Sequence, residues 1–456
     1  MMPAEVTSRA LLDALGQMGE WDAGAARDAR GALSMLGWDG ESDMLLRRYD
    51  VQLLAWYLTP VKLLASFEEK QAVLAAFATL LRRLGGGATE YAALLEARET
   101  RELLSSWERD EPQARARLHD LMERSGLEPP DTDALAWGAV MGVEEATVRE
   151  HVSIVLESAI EDGRLVPGAS SARRIQKQIV AEALAAPVEG AGGRTRLASI
   201  HDERFENWFQ HGVARGGEER RALLAPIREL IRADPPAIDT AAAGHAVEPA
   251  CWLLRRGEEG IALTQTGALN RALVRECAER WPGWWEAELF GPPQREDDVA
   301  LLQELHALLR GERLLRRHGK RLVVTARGRQ LADEPPGLLG NLAAKLLRGD
   351  GHVAAWSELA VARMLAGEGD DPYDHAEAIR PAIVTDGWTA GGESPEVRDI
   401  GWALGSFARA AEAIGILVRR ENDARRRGRN VALSPVGRDA LIVALRLRAL
   451  SPRAAP

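Results

Sequence analysis

Two clusters of cations have the type and spacing for one kind of chemistry, the binding of phosphate groups. Arg316, Arg317, Lys320 and Arg321 form the first cluster, and Arg425, Arg426, Arg427 and Arg429 the second. Guanidinium offers a planar array of donors that matches phosphate oxygens, and closely spaced cations release counterions from a nucleic-acid backbone. From 301 to 330 eight basic residues stand against two acidic ones, and from 416 to 438 seven stand against two. Residues 351–400 reverse the balance, with ten acids and three bases. The 456-residue chain holds 58 Lys and Arg against 68 Asp and Glu, a formal charge of −10. That sum argues against a protein that coats nucleic acid along its whole surface and leaves any such contact to local basic faces.

Covalent and metal chemistry find less support in the residue pattern. His201, Asp202 and Glu203 lie near His211, but acids at that spacing suit the first turn of a helix. Asp370, Asp371, Asp374, His375 and Glu377 offer oxygen ligands without the twelve-residue spacing of a calcium loop, so a solvated acidic loop is expected. Cys251 and Cys277 are too few for a disulfide framework, and Cys277, between Glu276 and Ala278 on a helical pattern, is expected to be buried. No phosphate-loop, dinucleotide-binding, nucleophile-elbow or His-Glu-x-x-His motif occurs. The expectation is a non-enzymatic protein without a cofactor or metal. The chain has 13 Trp against 6 Phe and 4 Tyr. Trp281, Trp284 and Trp285, around Pro282-Gly283, are expected to form a packed corner.

The elements that must carry the cations are legible as a pattern that occurs three times. The first copy is Leu253-Leu254-Arg255-Arg256, a turn, and Ile261 to Gly267. The second is Leu314-Leu315-Arg316-Arg317, a turn, and Leu322 to Arg329. The third is Ile416 to Arg420, a longer basic turn, and Val431 to Arg438. An apolar run, a polar turn and an alternating apolar run predict a β-hairpin. Thr264, Thr325 and Ser434 then stand where a following helix needs an N-cap. Helical patterns precede the hairpin at Val299–Leu309 and Trp402–Ala413. Helices, a hairpin and a capped helix are the parts of a winged-helix unit. Further upstream, Phe67–Leu84 has helical spacing and ends at Gly85-Gly86-Gly87. The fold expected is mainly α: a helical N-terminal half followed by tandem winged-helix units with small β-hairpins. The divisions expected are a helical domain at 1–128, a helix-turn-helix-like region at 129–190, a helical connector at 191–245, two winged-helix-like repeats at 246–350, and a C-terminal unit with an acidic insertion at 351–456.

Two stretches resemble known regulators. The string Asp423 to Arg438, with Arg425–Arg427, Leu433-Ser434 and Gly437-Arg438, resembles the wing of MarR-type regulators, in which an Asp-Arg tip precedes Leu-Thr-x-x-Gly-Arg. The likeness covers about 20 residues, and Ser434 replaces the usual Thr. Residues 134–166 resemble a bacterial helix-turn-helix, with Ala134–Met141 as first helix, Gly142 at the turn and a second helix from Glu144 to about Glu161 that presents Arg149. The second half is also similar to uncharacterised actinobacterial proteins that repeat Leu-Thr-x-x-Gly. These resemblances imply a regulator that meets double-stranded DNA, with helices in the major groove and arginine wings on flanking phosphates, and they imply a homodimer. The competing reading is a scaffold whose units bind protein partners in a larger assembly, favoured by the overall negative charge and by Glu144, Glu145 and Glu150. The start lacks a secretory pattern and no apolar run approaches about 20 residues, so a cytoplasmic protein outside the membrane is expected.

Overall fold

The computed structural model describes residues 6–38, 45–188, 190, 192–211, 217–349, 351–420 and 431–452. The chain is mainly α-helical, with small antiparallel strand pairs. It divides into two compact units, Met1–Ile200 and His201–Pro456.

The first unit begins with β1 (Val6–Thr7), α1 (Ser8–Trp21) and α2 (Ala23–Met35). β2 (Leu45–Leu46) pairs with β1, and α3 (Arg48–Leu53) runs into a π-helical stretch, Leu54–Lys62. There follow α4 (Phe67–Leu84), α5 (Ala88–Glu96), α6 (Arg98–Arg109) and α7 (Glu111–Ser125). Helix α4 has the expected bounds. A reciprocal cap between Ser66 and Glu69 starts it, and Gly85 at φ 71° stops it. Leu11, Leu33, Leu54, Phe77 and Leu104 anchor the core of this bundle.

A smaller core in the same unit gathers on α8 (Val143–Glu161) and α9 (Ala172–Ala185), with Val152, Leu156, Val180 and Leu184 inside. The first helix expected at Ala134–Met141 does not form. Side chains take its backbone donors instead. Asp131 accepts from Trp137 N at 2.9 Å, Thr132 from Leu135 N at 3.1 Å, and the buried Glu145 from Gly138 N at 2.9 Å. Such local bonds compete directly with a helix, and Pro129-Pro130 removes two donors just upstream. Gly142 is extended (φ −76°, ψ 179°), so α8 packs on α9 with no helix before a tight turn. Glu157 of α8 accepts from Arg48 N at 2.7 Å, capping α3. Beside it Asp50 accepts from Arg47 N at 2.9 Å, and burial pushes its carboxyl up to about 6.

To the second unit α10 (Arg196–His211) contributes Phe205 and Trp208, and α11 (Glu218–Leu224), α12 (Arg228–Arg232) and α13 (Thr240–Ala246) follow. Next come α14 (Glu248–Glu259), β3 (Ile261–Ala262), α15 (Arg271–Arg280), α16 (Ala287–Phe290), α17 (Ala300–Gly311), β4 (Leu315–His318) and β5 (Arg321–Val324). The sheet order is β3-β5-β4, all antiparallel, with Ile261 opposite Leu322 and Leu315 opposite Val324. Helices α18 (Ala326–Ala332) and α19 (Pro335–Leu347) follow. The remainder is α20 (His352–Leu365), α21 (Ala376–Thr385), α22 (Val397–Ala413), β6 (Leu417–Arg419), β7 (Val431–Leu433) and α23 (Pro435–Leu450).

The first repeat copy differs from expectation. Leu253-Leu254-Arg255-Arg256 lies within α14, where Cys251, Trp252, Leu253, Leu254 and Gly257 pack inward. Its one strand, β3, pairs with the hairpin of the second copy, so the two copies share one sheet. Thr264 caps no helix. It closes a turn by accepting from Ala268 N at 3.0 Å, with Gly267 at φ 87°, and Asn270 caps α15 instead. The second and third copies match expectation and each other. Thr325 Oγ1 accepts from Gly328 N and Ser434 Oγ from Gly437 N, both at 3.0 Å. A Cβ on Gly328 would collide with the carbonyl oxygen of Leu314, and one on Gly437 with that of Ile416. Glycine is needed at both because the capped helix presses on the strand entry.

The two hairpin-bearing halves pack through equivalent helices. α17 lies along α22, with Arg409 Nε 3.1 Å from Glu304, and α19 lies along α23. Glu358 of α20 is buried between Arg220 and Arg448 and accepts from Trp208 Nε1 at 3.0 Å. Burial alone would raise its carboxyl, but the two guanidinium groups outweigh that and hold it below its ordinary value.

Candidate nucleic-acid interface

The hairpin β4–β5 is built by a two-residue turn. His318 pairs with Arg321, and Gly319 takes φ 62° at the first central position. Leu315, Leu322 and Val324 face the core, while Arg316, Arg317, His318, Lys320 and Arg321 are exposed. Arg317 Nε donates to Gly319 O at 2.9 Å, and Arg321 donates to Glu259 O at 3.1 Å. These contacts orient both guanidinium groups without neutralising them. Among the described residues none of the four expected cations here is ion-paired, and Arg316 and Lys320 have no side-chain partner at all. Arg310, Arg313, Arg327 and Arg329 are exposed close by in sequence.

Arg313 stands out by its backbone. It is the one described non-glycine residue at positive φ, 56°. It holds the left-handed position that ends α17, and its carbonyl accepts from Thr325 Oγ1 at 2.9 Å. The equivalent place after α22 is Gly415, φ 70°, whose carbonyl accepts from Ser434 Oγ at 2.8 Å. Glycine is the ordinary solution there. An arginine at that place costs conformational energy and adds a cation at the base of the hairpin.

The third-copy hairpin β6–β7 is different. Arg425, Arg426, Arg427 and Arg429 lie outside the described residues. The cations described before them are held internally. Arg419 meets Glu412 at 2.5 Å and donates to Gly283 O at 2.8 Å, and Arg420 meets Asp370 of the acidic segment at 2.5 Å. Arg149, expected to reach phosphate from the upstream motif, is instead paired with Glu128 at 2.8 Å, with its side chain only 21% exposed.

The helices expected to enter a groove are largely occupied. α17 buries Leu301, Leu302, Leu305, His306, Leu308 and Leu309 and leaves Gln303, Ala307 and Arg310 outward. α22 is buried on most sides, and its outward residues cluster at its start, Val397, Arg398 and Trp402. One cause is that the two helices pack on each other.

The remaining candidates sit in structural surroundings. His375 is buried, accepts from Arg363 Nε at 3.2 Å, and burial pushes its imidazole down. Burial raises the Cys251 thiol and pushes that of Cys277 up to about 12. Trp281 stacks on Trp284 and packs edge-on against Trp252, forming the expected corner. Among the described residues no group of three His, Cys, Asp or Glu is placed to hold a metal. No described helix is long and apolar enough to cross a membrane. In the first unit Arg98, Arg101, Glu102, Ser105, Arg109 and Arg117 line an open cleft of about 730 Å³, where Glu102 already pairs with Arg98 and Arg117. Sequence reading overlooked Glu312, Lys345 and Arg348, which meet at the foot of the β4–β5 hairpin. The i, i+3 spacing of Lys345 and Arg348 at the end of an otherwise uncharged helix was the available signal.

Comparison with known proteins bears on this region alone. No curated protein and no solved structure matches the chain. Residues 248–337 are similar to the family described as the Y4jL N-terminal domain, a stretch that runs from α14 into α19 and contains the whole three-stranded sheet.

Proposed function

We propose that this is a non-enzymatic, cytoplasmic DNA-binding protein with a regulatory role, whose second unit holds duplex DNA by its phosphate backbone through a winged-helix module. The module comprises α14, β3, α15, α17 and the wing β4–β5. The observation that carries this reading is the hairpin with four cations, Arg316, Arg317, Lys320 and Arg321, none of them ion-paired among the described residues. Such contacts position a protein on DNA and carry little sequence information. The packing of α17 on α22 favours backbone contact over insertion of either helix into the major groove.

The test is fluorescence anisotropy of a labelled random-sequence duplex at 50 and 200 mM salt. Neutralising four phosphates gives a slope of log K against log salt near −3.6, at about −0.9 per phosphate. Replacing Arg316, Arg317, Lys320 and Arg321 by Ala is expected to flatten most of that slope on all sequences alike. An unchanged slope would remove the wing from the reading.

A second reading is supported by the same helix packing. A hairpin-bearing unit with both groove-facing helices engaged also suits a protein-interaction scaffold. Absence of duplex binding at 50 mM salt, with recovery of a defined acidic partner, would favour it.

A further inference from the structure

We infer that Arg327, Lys345 and Arg348, gathered around the buried Glu312, form a second phosphate site at the base of the β4–β5 hairpin, which takes another phosphate of the duplex held by the hairpin tip. The inference rests on the DNA-binding reading above and extends it to residues on α18, on α19 and at the C-cap of α19.

Glu312 follows α17, and its side chain is only 3% exposed. Three cations converge on it: Arg348 at 3.0 Å, Arg327 at 3.7 Å and Lys345 at 3.9 Å. With its amide turned to satisfy both atoms, Asn341 donates to Glu312 Oε2 at 3.0 Å and accepts from Arg327 at 2.7 Å. Burying one carboxylate calls for one good cationic partner. Here one negative charge faces three positive ones, and no other carboxylate pairs with these three among the described residues. The surplus points outward, because the Arg327, Lys345 and Arg348 side chains are 52%, 34% and 55% exposed.

Free Lys and Arg side chains lose rotamer entropy when fixed on a ligand. Glu312 and Asn341 have already gathered these three. Arg313, next to Glu312 in sequence and in a left-handed conformation, is a further exposed cation. The four-residue strand β4 separates this cluster from the tip by about 13 Å at roughly 3.3 Å per residue. A duplex carrying one charge per ~1.7 Å of its axis presents several phosphates over that length.

The full-length chain is labelled with an amine-reactive reagent, with and without a saturating 30-base-pair duplex at 50 mM salt. Lys320 reports the tip and Lys345 the base, while the exposed Lys62 and Lys177 of the first unit are controls. The expected result is at least threefold protection of both Lys320 and Lys345, with the controls unchanged. Protection of Lys320 alone overturns the second site and leaves the DNA-binding reading standing. No duplex binding at 50 mM salt overturns both. In a parallel measurement, Lys345→Gln with Arg348→Gln is expected to shrink the affinity lost between 50 and 200 mM salt by about tenfold, two phosphates' worth. The labelling uses the unaltered protein, so its outcome stands even if the double variant folds poorly.

Discussion

At the scale of single residues, Arg313 and Asp50 each carry a cost in stability. Arg313 occupies a left-handed backbone position that Gly415 fills in the equivalent half. Arg313→Gly is therefore expected to raise the stability of the second unit by about 1 kcal/mol, since non-glycine residues at positive φ carry a cost of that order. The same change should weaken duplex binding at 50 mM salt. Chemical denaturation read beside anisotropy checks both directions, and a variant that loses stability would contradict the strain argument. Asp50 has its carboxyl pushed up to about 6 by burial, with Glu150 and Glu157 adding to the rise against Arg47. Its folded pKa lies above its unfolded value of 3.8. The folded state therefore binds more protons between the two, and the associated stability is lost as pH rises through 6. The first unit is expected to be about 1 kcal/mol more stable at pH 5 than at pH 7.5 through this group. Asp50→Asn should remove that difference. Parallel pH profiles for the two proteins would rule out Asp50 as its source.

At the scale of elements, the repeated hairpin-to-helix junction is the most strictly specified part of the chain. Thr325 and Ser434 each cap a helix, and Gly328 and Gly437 each let that helix touch the carbonyl at the start of the hairpin. Gly328→Ala or Gly437→Ala adds one methyl against a backbone oxygen with no flexible atom to yield. Each is expected to cost about 1–3 kcal/mol, the usual penalty for overpacking, measured by thermal or urea denaturation. Gly319→Ala, at the hairpin tip, meets no neighbouring atom and should be limited to the milder cost of its φ of 62°. Comparable losses at Gly319 and Gly328 would count against the close-approach explanation.

At the scale of the whole molecule, a net charge of −10 coexists with one hairpin whose cations are free of acidic partners among the described residues. Binding to a polyanion should then be confined to that surface. Hydrogen exchange with excess duplex is expected to slow peptides covering 315–324 and 326–348, and to leave those covering α1 to α7 unchanged. Uniform slowing across the chain would point to association or aggregation and against a single basic face. The third-copy hairpin is a weaker candidate because Arg419 and Arg420 are both already bonded to acids of the same unit.

The sequence by itself determined the features that depend on near neighbours. Helix α4, the caps at Thr325 and Ser434, the inward alternation of Leu322 and Val324, and the exposed cations at 316–321 were all legible, because a cap, a turn or a strand face is decided within a few residues. Tertiary structure decided the rest. Whether Leu253–Arg256 made a strand or a helix depended on the buried face of α14, and the partner of Ile261 lay some 60 positions away at Leu322. Backbone donors near Ala134 were captured by Asp131, Thr132 and Glu145, so a helical pattern stayed unfolded into loop. Arg149 was drawn to Glu128, and Arg348 to Glu312, by packing that brings distant charges together. Local signals reveal where a cation is, but only the folded chain decides which carboxylate reaches it, and hence which cations remain to meet a partner.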